Sequence, residues 1–190
     1  MSIKEYIKKN IETKEKILTD EKLLSLINEA AEVIVQAYKR GNKVLTAGNG
    51  GSAADAQHIA GELVSKLYLN RPSLPAYALT TNSSIITAIS NDYGYKNVFA
   101  RQLNGMGVKG DIFLCLTTSG NSENISVALE EARTQGLISI GFTGEKPCAI
   151  DSTCDYLIKV PSADTPQIQE CHIMLGHIIC DIVEKSLFNV

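Results

Sequence analysis

Hydrophobic residues in the first forty positions of the chain recur at helical spacing. Ile3, Ile7 and Ile11 repeat every four residues, and a second set continues after Asp20 as far as a glycine at position 41. Such spacing is typical of amphipathic helices, and glycine commonly follows a helix end. The pattern therefore predicts an N-terminal helical arm over residues 1–40. The second set consists of Leu23, Leu24, Ile27, Ala30, Ala31, Ile34 and Tyr38.

From residue 41 onward, short apolar runs alternate with stretches of helical periodicity. This alternation predicts a mainly parallel sheet covered by helices. We therefore predict a single domain over residues 1–190, with the helical arm at 1–40 and an α/β body at 41–190. The predicted strands are 43–47, 76–79, 111–116, 138–142 and 156–160, and the predicted helices are 53–67, 82–90, 122–135 and 165–187.

The apolar stripe of the arm requires a surface to pack on, and two surfaces are compatible with the pattern. Either the arm extends from the body and a second subunit covers the stripe, or the arm packs on its own sheet. No residue of the arm indicates chemistry.

Composition narrows the class of protein. Eighteen Lys and Arg against 21 Asp and Glu give a net charge of −3, with no dense basic stripe for a nucleic-acid backbone. No segment reaches the roughly 18 apolar residues needed to span a membrane, and the N-terminus does not resemble a signal peptide. Five cysteines without a CxxC spacing favour a reducing compartment. We therefore expect a cytoplasmic protein that binds neither nucleic acid nor membranes.

Two loops after predicted strands have unusual sequences, and ligands of open parallel sheets bind at such loops. GNGGSA at 48–53 has three glycines, which allow backbone N–H groups to approach a ligand. TTSGNS at 117–122 places four hydroxyls and a glycine at the start of a helix, which favours phosphate. For either loop the alternative is ordinary turn and cap chemistry.

The first loop also fits the G-x-G-x-x-A form of a dinucleotide-binding fingerprint. In that motif the next strand ends in Asp or Glu, which binds the ribose, but residues 78–82 contain no acid. We therefore set aside a nicotinamide enzyme.

Four side chains on two predicted helices are candidates for a metal site. His58 and Glu62 lie four residues apart and would share one helix face. Gln169 and His177 lie eight residues apart on the last helix, about 80° around it, so both could face one cleft. This donor set is compatible with a zinc-like ion. The alternatives are a surface helix pair for His58 and Glu62, and a partly buried histidine for His177.

Several separated motifs together resemble the sugar isomerase (SIS) family, and the resemblance covers nearly the whole chain. The motifs are GNGGSAADAQHIAGEL at 48–63, SND at 90–92, TTSGNS at 117–122 and IQECH at 168–172, followed by His177. The resemblance implies a flavodoxin-like, doubly wound, five-stranded α/β domain with an N-terminal helical extension. It also implies a homotetramer with active sites at the subunit interfaces and one zinc ion per subunit.

The activity that the resemblance implies is an aldose–ketose isomerisation. Sedoheptulose 7-phosphate and D-glycero-D-manno-heptose 7-phosphate interconvert through an enediol, as the first step of bacterial heptose biosynthesis. Whether the heptose ends in lipopolysaccharide, capsule or another glycoconjugate does not follow from the sequence, nor does the anomer released.

Matched position by position, the resemblance also implies the site residues. Glu62 and His177 are expected to transfer protons, and Glu62 and Gln169 are expected to contact the substrate. The metal ligands would be His58, Glu62, Gln169 and His177. The sugar-side residues would be Asn49, Gly50, Gly51, Ser52, Asn91 and Asp92. The phosphate-side residues would be Thr117, Thr118, Ser119 and Ser122.

The sequence leaves three alternatives open. Glu62 is either a metal ligand, a general base or both, and the donor set also suits nickel or cobalt. A non-enzymatic SIS relative would be a sugar-phosphate sensor or a regulator that binds the replication initiator. Relatives that bind the replication initiator lack the acid and the histidine that Glu62 and His177 provide here. Pro166 and Gln167 depart from the family pattern, which puts substrate contacts at those positions in question.

Overall fold

The computed structural model describes residues 2–188. The chain begins with two helices. α1 spans Ile3–Leu18 and α2 spans Glu21–Lys39. Two 3₁₀ turns lie at Tyr95–Asn97 and Ala149–Ser152. The other elements are β1 (Val44–Gly48), α3 (Gly51–Val64), β2 (Ala76–Ala78), α4 (Ser83–Tyr93), α5 (Ala100–Met106), β3 (Ile112–Leu116), α6 (Glu123–Gln135), β4 (Ile138–Gly144), β5 (Tyr156–Val160) and α7 (Thr165–Phe188).

The strands form one parallel sheet in the order β2-β1-β3-β4-β5. At its centre, Thr46 of β1 lies opposite Ala78 of β2 and Leu114 of β3. The chain order reverses at β1, because β2 lies on one side of it and β3 to β5 lie on the other. The predicted flavodoxin-like, doubly wound α/β fold is therefore confirmed. Loops that follow β1 and β3 meet where sheets of this kind bind ligands.

Helices cover both faces of the sheet and enclose two apolar clusters. On one face, α2, α3 and α7 pack on the strands around Ile34, Ile59 and Phe142. On the other face, α5 and α6 pack on the sheet, and Leu129 of α6 shares a buried cluster with Phe113 of β3. β1 and β3 are buried along their whole length. This two-sided burial explains why both strands are continuous apolar runs in the sequence rather than alternating ones.

The two helices of the predicted arm pack differently. α2 packs its buried face on the α/β body, mainly against α7, and places Ile27 and Ile34 in the core. On α1, Ile3, Ile7 and Ile11 remain 81%, 52% and 51% exposed. Of the two predicted arrangements, α2 therefore adopts the one in which the arm packs on its own chain. α1 instead retains an exposed apolar stripe.

α5 is a helix that the sequence pattern did not predict. Its seven residues follow Phe99, which provides no side-chain cap, and they are too few to show a full hydrophobic period. Other boundaries differ slightly from the prediction; α3, for example, ends at Val64 rather than at residue 67. Within residues 2–188, no helix has the length and apolar character needed to cross a membrane.

Candidate functional site

Three side chains from two helices converge beside the sheet. The geometry of α3 brings His58 and Glu62 to one face, where His58 Nε2 lies 3.0 Å from a Glu62 carboxylate oxygen. α7 packs against α3 and contributes His177, whose Nε2 lies 3.1 Å from His58 Nε2. One donor atom from each residue lies within 4.8 Å of the others. The structure thus brings together three of the four residues predicted to bind a metal.

The donor atoms of this histidine–glutamate cluster fit a divalent metal ion. Zinc–nitrogen bonds of about 2.0–2.1 Å in a tetrahedral site place two ligand nitrogens about 3.3 Å apart. The observed separation of the two Nε2 atoms, 3.1 Å, is close to that distance. Two facing imidazole nitrogens repel each other unless a proton or a cation lies between them. Two nitrogens and a carboxylate oxygen suit zinc, and also nickel or cobalt.

The cluster lies at the surface of the chain. The side chain of His58 is 49% exposed and that of Glu62 is 21% exposed. Asp55, one turn before His58 on α3, is half-buried. Burial raises the pKa of Asp55, although the nearby His58 acts to lower it. Sequence reasoning missed Asp55, yet its spacing of three residues from His58 already predicts that both share one face of α3.

Gln169, the fourth predicted ligand, lies on α7 two turns before His177 and meets the glycine loop. A β-carbon at Gly51 would lie 2.7 Å from the Gln169 amide nitrogen, so a larger residue at this position would displace the end of the Gln169 side chain. The preceding Gly50 has φ +57° and turns the chain into α3. The amide of Gln169 therefore contacts the loop that follows β1.

Both predicted loops and Gln169 line a common cavity of about 80 Å³ beyond β1 and β3. The sheet topology explains this meeting, because the two strands are neighbours and end at the same edge. The lining residues are Asn49, Ser52, Leu116, Thr117, Thr118, Ser119, Ser122 and Gln169. The structure thus places the predicted phosphate-side hydroxyls beside part of the predicted sugar-side loop.

Two hydroxyls of the second loop accept hydrogen bonds from its backbone, and a third lies against one of them. Ser122 occupies the N-cap position of α6, but its hydroxyl makes no capping bond and lies 3.3 Å from Thr117 Oγ1. Thr117 Oγ1 accepts from the Gly120 N–H, and Ser119 Oγ accepts from the Asn121 N–H, both at 3.2 Å. A hydroxyl that accepts from the backbone can still donate its hydrogen to an anion.

Asn49 is held by two residues that sequence reasoning missed. Its amide exchanges two hydrogen bonds with the Asn124 amide, each at 2.9 Å. The Tyr95 hydroxyl donates to Asn49 Oδ1 at 2.9 Å. These partners are 75 and 46 residues away in sequence, so no local pattern could reveal them.

Asn91 and Asp92 lie apart from the cavity that the two loops share. Both are exposed near the end of α4, where Asn91 Nδ2 donates to Asp92 Oδ1 at 2.8 Å. Neither lines the cavity between the loops and Gln169. Their part in sugar binding stays a prediction.

The departure from the family pattern at the start of α7 has a structural role. Gln167 is buried, and its Oε1 accepts from the Thr13 and Ser162 hydroxyls, both at 3.2 Å. Pro166 is exposed in the first turn of α7. Gln167 therefore connects α1 to the α/β body through its side-chain oxygen.

Comparisons with known proteins agree over nearly the whole chain. Residues 5–144 match the family described as the SIS domain. The chain is 58% identical to phosphoheptose isomerase 2 of Campylobacter jejuni, over 98% of this chain and 93% of that protein. It is 55% identical to the phosphoheptose isomerase of Aneurinibacillus thermoaerophilus, over 98% and 94%. A solved structure of a phosphoheptose isomerase from Francisella tularensis is similar with a TM-score of 0.93 at 38% identity, over 96% of both chains.

Proposed function

We propose, from the premise that the chain belongs to the SIS domain family, that it is an aldose–ketose isomerase of heptose biosynthesis. The substrate pair is sedoheptulose 7-phosphate and D-glycero-D-manno-heptose 7-phosphate. The observation that carries this proposal is the convergence of His58 and Glu62 on α3 with His177 on α7. The same helix α7 also brings Gln169 to the glycine loop.

The reaction explains why a carboxylate and a histidine are needed together. Moving a carbonyl between C1 and C2 requires a base that takes a proton from one carbon and returns it to the other. Glu62 is that base in our proposal. His177 moves protons among the sugar oxygens and assists opening of the cyclic sugar, because histidine is the side chain most often used for general acid–base catalysis.

The metal centre in this proposal is formed by His58, Glu62, Gln169 and His177, with zinc as the ion and one ion per subunit. When bound, the ion supplies Lewis-acid stabilisation of negative charge on the substrate oxygens. A carboxylate has two oxygens, so Glu62 can hold a metal through one and accept a proton through the other.

Substrate binding is divided between the two loops. The hydroxyls of Thr117, Thr118, Ser119 and Ser122 hold the phosphate, and their shared cavity with Gln169 supports this assignment. The sugar contacts Gln169, Glu62 and the residues Asn49, Gly50, Gly51, Ser52, Asn91 and Asp92. The hydrogen bonds from Asn124 and Tyr95 hold the Asn49 amide in place before the sugar binds.

We further propose a homotetramer with its active sites at subunit interfaces. The exposed isoleucines of α1 and the half-exposed side chain of His58 support this arrangement, because a second subunit could cover both. The expected location is the cytoplasm, where a reducing environment keeps the five cysteines as thiols.

The experiment that tests this function follows sedoheptulose 7-phosphate by NMR with metal-stripped and zinc-restored protein. Glu62→Gln and His177→Ala are measured alongside, and Glu130→Gln, an exposed carboxylate on α6, is the matched control. We expect zinc-dependent formation of the aldose, a loss of turnover of about 10²–10⁴-fold in Glu62→Gln, and no loss in the control.

Two results would contradict the proposal. If Glu62→Gln kept more than about a tenth of wild-type turnover, the carboxylate would not be the base. If wild-type protein bound the sugar phosphate but produced no aldose with zinc, the chain would be a sugar-phosphate sensor or a regulator rather than an enzyme.

A further inference from the structure

The loop between α3 and β2 is tied to α7 by a buried ion pair. Arg71 Nε donates to a Glu184 carboxylate oxygen at 3.1 Å, and both side chains are only 2% exposed. Glu184 also accepts from the backbone N–H groups of Leu67, Tyr68 and Leu69. Burial by itself raises the pKa of Glu184, but these amides and the Arg71 guanidinium together hold it below its usual range. Glu184 is therefore a charged group whose burial is compensated by paired donors.

The same guanidinium holds the end of α3. Its two terminal nitrogens donate to the backbone carbonyls of Leu63 and Glu62, each at 2.9 Å. These carbonyls are among the last four of α3, which have no partner within the helix. Arg71 thus joins the carboxylate of Glu184 on α7 to the backbone of Glu62, a residue of the histidine–glutamate cluster.

Glu184 also has a fixed position relative to His177. The two residues are seven positions apart on α7, which puts them on one helix face about two turns from each other. Beyond the contact of Gln169 with Gly51, α7 therefore meets α3 at two polar contacts further along both helices. His177 contacts His58 at one, and Glu184 reaches the Glu62 carbonyl through Arg71 at the other. Two points of attachment limit how far α7 can slide or rotate relative to α3.

We propose that Arg71 and Glu184 are positioning residues that set the separation of His177 from His58 and Glu62, and thereby the geometry of the metal centre. The inference rests on the proposed function, because that function gives the cluster its metal. A merely structural ion pair would stabilise the chain without affecting metal affinity. Removing a group that orients metal ligands typically costs about 10- to 100-fold in metal affinity.

The test measures the binding of Co²⁺ alone to metal-stripped, full-length protein. Titration gives the affinity, the absorption spectrum of the bound ion reports the coordination geometry, and the thermal midpoint of the same samples reports stability. Arg71→Met and Glu184→Gln are each expected to weaken Co²⁺ binding about 10-fold or more and to change the spectrum. With substrate, kcat is expected to fall by a larger factor than KM rises.

Two further variants separate positioning from stability. Arg71→Met combined with Glu184→Gln has no unpaired buried charge, so part of the stability lost in Arg71→Met is expected to return. Co²⁺ binding should stay weak in this double variant, because the link between Glu184 and the Glu62 carbonyl is still absent. Where Arg71→Met does not fold, Arg71→Lys keeps the charge but lacks the guanidinium fork that reaches both partners.

The matched control is a second ion pair, in which only the carboxylate is fully buried. Lys43 and Asp111 pair at 2.5 Å where β1 and β3 begin, and Asp111 is fully buried. Lys43→Met is expected to lower the thermal midpoint without changing Co²⁺ affinity, because this pair touches neither α3 nor α7.

The outcomes separate this inference from the proposed function. Co²⁺ binding by Arg71→Met and Glu184→Gln as tight as in wild-type protein would overturn the positioning role, and so would wild-type protein that binds no Co²⁺. Binding that is normal in wild-type protein and weak in both variants, with no isomerisation of sedoheptulose 7-phosphate, would support the positioning role and overturn the proposed function.

Discussion

His172 lies on α7 with no exposed surface and packs against the ring of Phe142. Its Nε2 lies 3.4 Å from the backbone oxygen of Thr143. Burial lowers the pKa of His172 to about 4, because the charged ring would lose its water, although the Thr143 carbonyl acts to raise it. The side chain is therefore neutral at pH 7 and belongs to the apolar core.

We expect His172 to make the protein less stable as the pH falls from about 6.5 to about 4. Within that window the unfolded chain binds a proton that the folded chain does not, so acid favours unfolding. Between pH 7 and pH 5 the loss is about 2 kcal/mol of the free energy of unfolding, at about 1.4 kcal/mol per pH unit. Urea unfolding of wild-type protein and His172→Gln at both pH values, at one protein concentration, measures this loss.

The glutamine variant isolates the histidine from the carboxylates, which titrate in both proteins. Its free energy of unfolding should fall less than that of wild-type protein between pH 7 and pH 5. Equal falls in the two proteins would contradict a buried, neutral His172.

Individual site residues differ in how far the sequence alone reveals them. His58 and Glu62 follow from a spacing of four residues, because helix geometry alone brings them to one face. His177 is 119 residues from His58, so their contact depends on the packing of α7 against α3. In the sequence alone, only the family resemblance indicated that His58 and His177 belong to one site. The tie between Arg71 and Glu184 has no counterpart in the sequence pattern, because it spans 113 residues and begins in an irregular loop.

At the scale of elements, the loop between β3 and α6 shows how local structure positions side-chain hydroxyls. Its hydroxyls do not cap α6, and Thr117 and Ser119 instead accept hydrogen bonds from N–H groups of the loop itself. Ser119 is exposed and Ser122 is half-buried, so both are accessible beside the cavity. Hydroxyls arranged in this way could donate hydrogen bonds to the phosphate in the proposed function.

The combination of Ser119→Ala with Ser122→Ala is expected to raise the KM for sedoheptulose 7-phosphate while the fold persists. A hydrogen bond to a charged group contributes about 1.5–3 kcal/mol, so losing two should raise KM by about 100-fold or more. Steady-state kinetics of the zinc-loaded protein gives the value. Ser126→Ala, one turn further along α6, is the matched control and should leave KM unchanged. An unchanged KM in the double variant would show that this loop does not bind the phosphate.

Most elements could be predicted because each buries a periodic or continuous apolar pattern. The alternation of strands and helices was sufficient for a parallel sheet. α5 was missed because a seven-residue helix without a capping side chain has too short a pattern to recognise. The start of α3 at Gly51 was also missed, since consecutive glycines favour a loop over a helix.

At the scale of the whole molecule, α1 presents an apolar surface that residues 2–188 leave exposed. Beside this helix, a groove of about 540 Å³ runs between α1, α2 and α7. Ile11 and Ile178 both line it, and Ile178 directly follows His177 of the cluster. An apolar groove that reaches the residue after His177 links the proposed assembly to the proposed chemistry.

Replacing Ile7 and Ile11 by glutamate is therefore expected to weaken both the assembly and the activity. Each isoleucine buried by a second subunit contributes about 1.5–3 kcal/mol, and a charge in its place opposes burial. Sedimentation velocity should show homotetramers for wild-type protein and smaller species for Ile7→Glu with Ile11→Glu. Turnover per chain should fall with dissociation, because His58 would lose the surface that covers it.

Val108→Glu is the matched control for this pair, since Val108 is 54% exposed and lies in the loop before β3. It should assemble and turn over sedoheptulose 7-phosphate as wild-type protein does. A monomeric wild-type protein would contradict the proposed homotetramer. Full turnover by the dissociated double variant would contradict active sites at subunit interfaces. The site would then be complete within one chain, and α1 would serve assembly alone.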